Sequence, residues 1–294
     1  MRVESPPTEL RPAVGERFRS FSFVDRITRQ AAGRIEGLYW VPAHATGFPA
    51  SLMAEAVGQL AAWSAMAQLD FACRPVAGLA GEARYFQVPR SGQTLQLEAN
   101  LERCDAEAVA YGGRATIDGR LALELVDCVG PMLPMDEFDG APAVRADFST
   151  LLGAGAPAGR FGGVPAPQIS GIEQGPGERL RALLTVPALD AAAYFADHFP
   201  RRPVFPGTLL LDALASLALQ LAQQAPALQA AGTLVLIKVA QVKIRSFTAP
   251  GTRLQLEAEL IEADAQRARL KVLARADGKA VATARVEVGA RAVA

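Results

Sequence analysis

Two long stretches of the chain are apolar almost all the way round the helical circle, one from about Ala50 to Leu69 and one from about Thr208 to Gln223. Such a pattern predicts buried helices rather than amphipathic surface ones. Each carries one acid near its start, Glu55 in the first and Asp212 in the second. Gln59, Gln220, Gln223 and Gln224 break the apolar runs further, so no membrane span is expected. Elsewhere the apolar positions alternate. Segments 108–116 and 120–128 flank Asp118-Gly119, and 267–275 and 279–288 flank Asp277-Gly278, which predicts two hairpins.

The hairpins belong to an internal repeat. Gly92 to Leu101 (GQTLQLEANL) matches Gly251 to Leu260 (GTRLQLEAEL) at an offset of 159, and Glu55 to Asp212 is an offset of 157. Helix and strands therefore repeat together. The order predicts an α+β chain of two tandem units, each a long central helix followed by antiparallel strands that wrap it. The expected boundaries are 1–150, a Gly-, Ala- and Pro-rich linker at 151–177, and 178–294.

Composition narrows the setting. The chain has 294 residues, half of them hydrophobic, enough for two cores. A formal net charge of zero argues against nucleic acid as a partner. The three cysteines, Cys73, Cys104 and Cys128, show neither metal nor disulfide spacing and suit a reducing compartment. Met1 to Pro7 contains no apolar signal region, so the expected location is cytoplasmic.

Candidate chemistry concentrates in one run, His198-Phe199-Pro200-Arg201-Arg202-Pro203-Val204-Phe205-Pro206-Gly207-Thr208, which leads into the second helix and its Asp212. The chain has only two histidines, and one of them is here. Three prolines within the run stiffen the loop. Pro206-Gly207 suits a helix entrance, where free amides and the helix dipole polarise a carbonyl oxygen placed against them.

This run resembles the motif of the β-hydroxyacyl-acyl-carrier-protein dehydratases, which have the hot-dog fold. The motif has the form H-F-P-x-x-P-V-x-P-G, with an acid fourteen residues after the histidine, the place of Asp212. Val242-Lys243-Ile244-Arg245, leading to Pro250-Gly251, resembles the strand and turn that follow. The resemblance implies a tandem double hot dog whose two copies replace a homodimer. In that family the site lies at the interface, histidine from one copy and acid from the other. The C-terminal copy keeps the histidine loop but has Ser216 where the family has a glutamine four residues beyond the acid. The N-terminal copy keeps acid and glutamine, Glu55 and Gln59, behind a short loop, His44-Ala45-Thr46-Gly47-Phe48-Pro49. His198 with Glu55 and Gln59 is thus the expected site, and His44 with Asp212 a possible second one.

The implied reaction removes water from a 3-hydroxyacyl thioester without a cofactor or metal. His198 would be the base, with a pKa suited to neutral pH. Glu55, on a buried helix where desolvation favours the protonated carboxyl, would serve the leaving hydroxyl. Gln59 would orient Glu55, and the Gly207 amide would bind the thioester oxygen. Phe205, Val204, Phe199, Leu209, Phe86, Trp63 and Met53 are candidate lining for the acyl chain. Arg201, Arg202, Lys243 and Arg245 form a basic rim suited to an acyl carrier protein. Pairing of such units, or binding to synthase partner subunits, is a further expectation. A hot-dog thioesterase, a non-catalytic acyl-binding subunit of a synthase and an isomerase activity are the competing readings.

Overall fold

The computed structural model describes residues 17–18, 20–43, 48–157, 163–164 and 167–290. The chain opens with a hairpin, β1 (Arg26–Ala31) and β2 (Arg34–Trp40), before helix α1 (Ser51–Gln68). There follow β3 (Cys73–Pro75), β4 (Leu79–Tyr85), β5 (Thr94–Cys104), β6 (Ala108–Ile117), β7 (Arg120–Pro134) and helix α2 (Ala141–Leu152). The second half repeats the plan: hairpin β8 (Ile169–Gly175) and β9 (Arg179–Thr185), helix α3 (Gly207–Gln224), then β10 (Leu234–Ile244), β11 (Arg253–Ala263), β12 (Arg267–Ala276) and β13 (Lys279–Ala290).

Two expectations change here. Each half begins with a hairpin before its helix, so the helix is not the first element. Ile169–Gly175 is a strand paired to β9, so the stretch at 151–177 is not wholly linker. The strand signal there is diluted by Gly171, Gln174 and Gly175, and most of β8 is exposed. The helix limits and the four hairpin strands fall within a few residues of where the periodicity places them. Both hairpin turns have left-handed backbone at both central residues, φ 51° and 75° at Asp118-Gly119 and 47° and 76° at Asp277-Gly278. That is the primed geometry that matches strand twist.

All described strands join one antiparallel sheet in the order β1-β2-β5-β6-β7-β4-β10-β13-β12-β11-β9-β8, with β3 added on β7. The order runs outward identically from the centre. There β4 and β10 pair from Lys238↔Arg84 to Lys243↔Leu79 and join the halves. Each half curls round its own helix, α1 against β5 and α3 against β11, and the two helices touch one another. Leu52, Met53, Ala56, Val57 and Leu60 of α1, and Leu209, Leu210, Leu214 and Leu217 of α3, are buried in that core. Burial of each large apolar side chain contributes about 1.5–3 kcal/mol. Helix α3 stops where Pro226 follows Ala225.

Gly113 of β6 lies close against α1. A Cβ there would lie 2.5 Å from the Glu98 carbonyl oxygen and 2.6 Å from Val57 Cγ1. Gly113→Ala should therefore destabilise the protein by about 1–3 kcal/mol through overpacking. Urea unfolding would show it as a lowered midpoint.

Candidate active site

His198 sits on the loop between β9 and α3, and the loop is tied at both ends. The His198 amide donates to the Tyr194 carbonyl at 2.9 Å, and the Val204 amide to the His198 carbonyl at 2.9 Å. The imidazole Nδ1 lies 2.8 Å from the Val204 carbonyl oxygen. A carbonyl oxygen only accepts, so Nδ1 carries the proton and the neutral ring keeps its lone pair on Nε2. The ring stacks on Phe199 at 4.1 Å and meets the edge of Phe21 at 5.3 Å. Burial lowers the His198 pKa; nearby Glu55 and the Val204 carbonyl oppose that, and Arg74 adds to it. At neutral pH the imidazole is a base with a free nitrogen.

Glu55 projects from the second turn of α1, where an i, i+4 spacing puts Gln59 on the same face. Gln59 Nε2 donates to Glu55 Oε1 at 2.9 Å, and Thr208 Oγ1, from the first turn of α3, donates to Glu55 Oε2 at 2.7 Å. The acid of one half is thus braced by its own helix and by the helix of the other half. A hydroxyl rotor accepts as well as donates, so Thr208 can serve either protonation state of the carboxyl. Gln59 is fixed in turn: its Nε2 also donates to the Phe21 carbonyl at 3.0 Å, and its Oε1 accepts from the Phe23 amide at 2.8 Å.

His198, Glu55, Gln59, Gly207 and Thr208 line one cavity of about 270 Å³. Gly207 is the first residue of α3, with Pro206 as its N-cap, and a first-turn amide has no partner inside the helix. Phe205, Val204, Phe199 and Trp63 line the cavity as expected, and Tyr111, Met66, Leu125 and Cys128 extend it between α1 and the sheet. Burial pushes the Cys128 thiol up to about 12, so it is an inert, apolar part of that wall. All three cysteines are free. Leu209 and Met53 belong to the core instead of the cavity wall, and Phe86 is 56% exposed on the sheet, outside the cavity.

The other expected residues fall as follows. Asp212 accepts from Ser51 Oγ at 3.3 Å, and burial raises its pKa. This contact is the counterpart of Thr208 on Glu55, but no glutamine braces it. His44 lies outside the described residues. Arg201 donates to the Asp136 carbonyl at 3.1 Å and Arg202 pairs with Glu137 at 2.5 Å, both within the chain. Arg202 also lies over the Phe247 ring at 4.4 Å. Arg245 is exposed and donates its amide to the Val281 carbonyl at 2.9 Å.

Several site residues escaped sequence reasoning. Thr208 enters through its hydroxyl, which points across to Glu55. Asp197, next to the histidine, and Phe21 from the start of the chain enter through contacts no motif announces. Arg74 of β3 also lines the cavity, its guanidinium 4.3 Å above the Phe199 ring that His198 stacks on. Burial lowers its pKa to about 10, which leaves it charged at neutral pH.

The fold and the cavity define a class: a hot-dog protein with a histidine and a glutamate lining one largely apolar cavity. Comparison with known proteins gives the family. The ApeI-like dehydratase family, described as ApeI dehydratase, matches residues 174–285. The 3-hydroxyacyl-[acyl-carrier-protein] dehydratase FabZ of Myxococcus xanthus is 36% identical over 112 residues, 38% of this chain and 72% of that protein. The FabZ of Zymomonas mobilis is 33% identical over 108 residues, 36% of this chain and 67% of that protein. Over the whole length, a Lactobacillus plantarum structure described as a putative oleoyl thioesterase superposes with a TM-score of 0.57 at 10% identity, covering 87% of this chain and 96% of the other. That likeness shows the fold alone. The chain belongs to the β-hydroxyacyl-acyl-carrier-protein dehydratase family of hot-dog proteins. Among the described residues no helix is long and apolar enough to cross a membrane.

The electrostatics predict how His198 titrates. In a His44→Gln background, which leaves one imidazole, its NMR midpoint should fall below the usual value of about 6.5. Arg74→Gln removes a neighbouring positive charge and should move that midpoint upward. A midpoint unchanged by the substitution would contradict the placement of Arg74.

Proposed function

We propose that the protein removes water reversibly from a 3-hydroxyacyl thioester to give a trans-2-enoyl thioester. The observation that carries this reading is the joint placement of His198 and Glu55. The base has Nδ1 committed to the Val204 carbonyl and Nε2 free, while the acid is braced by Gln59 and Thr208 in the same cavity. His198 Nε2 takes the proton from C2 and the electron pair forms the new double bond. The C3–O bond breaks as the Glu55 carboxyl delivers a proton to the departing hydroxyl, which leaves as water. The Gly207 amide at the start of α3 stabilises the charge that develops on the thioester oxygen. Reversal hydrates the double bond.

The same reading treats the chain as a tandem double hot dog, with one unit over 1–150 and the other opening with the β8–β9 hairpin and running to 294. Its substrate arrives on an acyl carrier protein, in fatty acid synthesis or a related lipid or polyketide route. Arg201, Arg202 and Arg245 form the basic rim that an acidic carrier would meet.

Incubation with a 3-hydroxyacyl or 2-enoyl thioester tests the reaction. Glu55→Gln and His198→Ala should each lower kcat by about 10²–10⁴-fold, the usual worth of a positioned acid or base. Asp212→Asn should leave kcat within a few-fold of the parent. Release of free thiol without a new double bond would replace this reading with a thioesterase. Tight acyl-thioester binding without turnover would replace it with a non-catalytic acyl-binding subunit.

A further inference from the structure

Residues 17–18 and 20–23 belong to no helix or strand, yet the active site itself holds them. The Asp197 carboxylate accepts the amides of Ser20 at 2.8 Å and Phe21 at 2.9 Å. Gln59 holds the Phe21 carbonyl at 3.0 Å and the Phe23 amide at 2.8 Å. Arg17 pairs with Asp139 at 2.6 Å and with Asp147 of α2. Phe18, Phe21 and Ser22 face the cavity.

An irregular segment buried at a site leaves backbone polar groups that must find partners. Here two of the partners come from the catalytic groups' nearest neighbours. Asp197 precedes the base in sequence, and Gln59 braces the acid. One residue joins them. The Phe21 ring, 3% exposed, packs edge-on to His198, and the Phe21 carbonyl anchors Gln59. Base and acid come from different halves of the chain, so a link between them has to be supplied by tertiary structure.

We propose that Phe21 is a positioning residue, and that the strap from Arg17 to Phe23 is a working part of the site that holds base and acid in register. For its effect on turnover the proposal rests on the dehydratase reading; its geometric content does not. Besides Phe21, the imidazole faces Glu55 from α1, Arg74 from β3, and the Phe199 ring and Val204 carbonyl of its own loop.

The test uses the full chain carrying Phe21→Ala, Phe21→Leu or Arg17→Gln, with melting temperature followed in parallel. Displacement of a reacting group by about 1 Å costs up to about 100-fold in rate. Phe21→Ala should therefore lower kcat by about 10-fold or more with KM changed by less than about 3-fold, and Phe21→Leu should recover most of it. By hydrating the ring, Phe21→Ala should also raise the His198 NMR midpoint toward its ordinary value. Arg17→Gln, which loosens the strap from outside the core, should give a smaller loss of kcat and decides the matter if Phe21→Ala does not fold. Unchanged kcat per folded molecule, with an unmoved His198 titration, would overturn the proposal even if the melting temperature falls. If the parent shows no thioester turnover, the dehydratase reading fails, and the titration alone still tests the strap.

Discussion

The bond from Thr208 to Glu55 is the constraint on which the site depends. It crosses from the first turn of α3 to the second turn of α1 and so fixes the acid of one half against the helix entrance of the other. The histidine loop runs straight into that entrance, so the same bond sets the acid relative to His198 and the Gly207 amide. Ser51 makes the corresponding contact with Asp212, and the two pairs are related by one offset, 157 for hydroxyl and acid alike. The helix pair is nearly symmetric at this level, and its symmetry fails one turn later. Gln59 braces Glu55, whereas the corresponding Ser216 is exposed and touches no acid.

That difference gives the two acids separate lives. Glu55 has two donors and faces the cavity with His198. Asp212 has one weaker donor, does not line the cavity, and is held by burial toward the neutral form.

Much of this was legible in the sequence, and the rest was not for physical reasons. The buried helices and the Asp-Gly hairpins follow from local periodicity and turn chemistry, which need no knowledge of neighbours. The expectation that His198 and Glu55 share a site came from the family resemblance and the complementary halves, and both residues line one cavity. The hairpins before each helix were hidden because β1 and β8 are mostly exposed edge strands without clear alternation. Thr208, Phe21, Arg74 and Asp197 were hidden because their roles exist only across the interface. Only the packing of α3 on α1 turns the Thr208 hydroxyl to an acid 153 residues away.

The central claim is that one site is built from both halves and that its base and acid act as a unit. The most direct measurement is the turnover of a 3-hydroxyacyl thioester by His198→Ala, by Glu55→Gln and by the chain carrying both. Groups that act together in one step are strongly non-additive. The double variant should be no slower than the slower single one. Multiplying losses, or substantial activity in either single variant, would contradict a composite site.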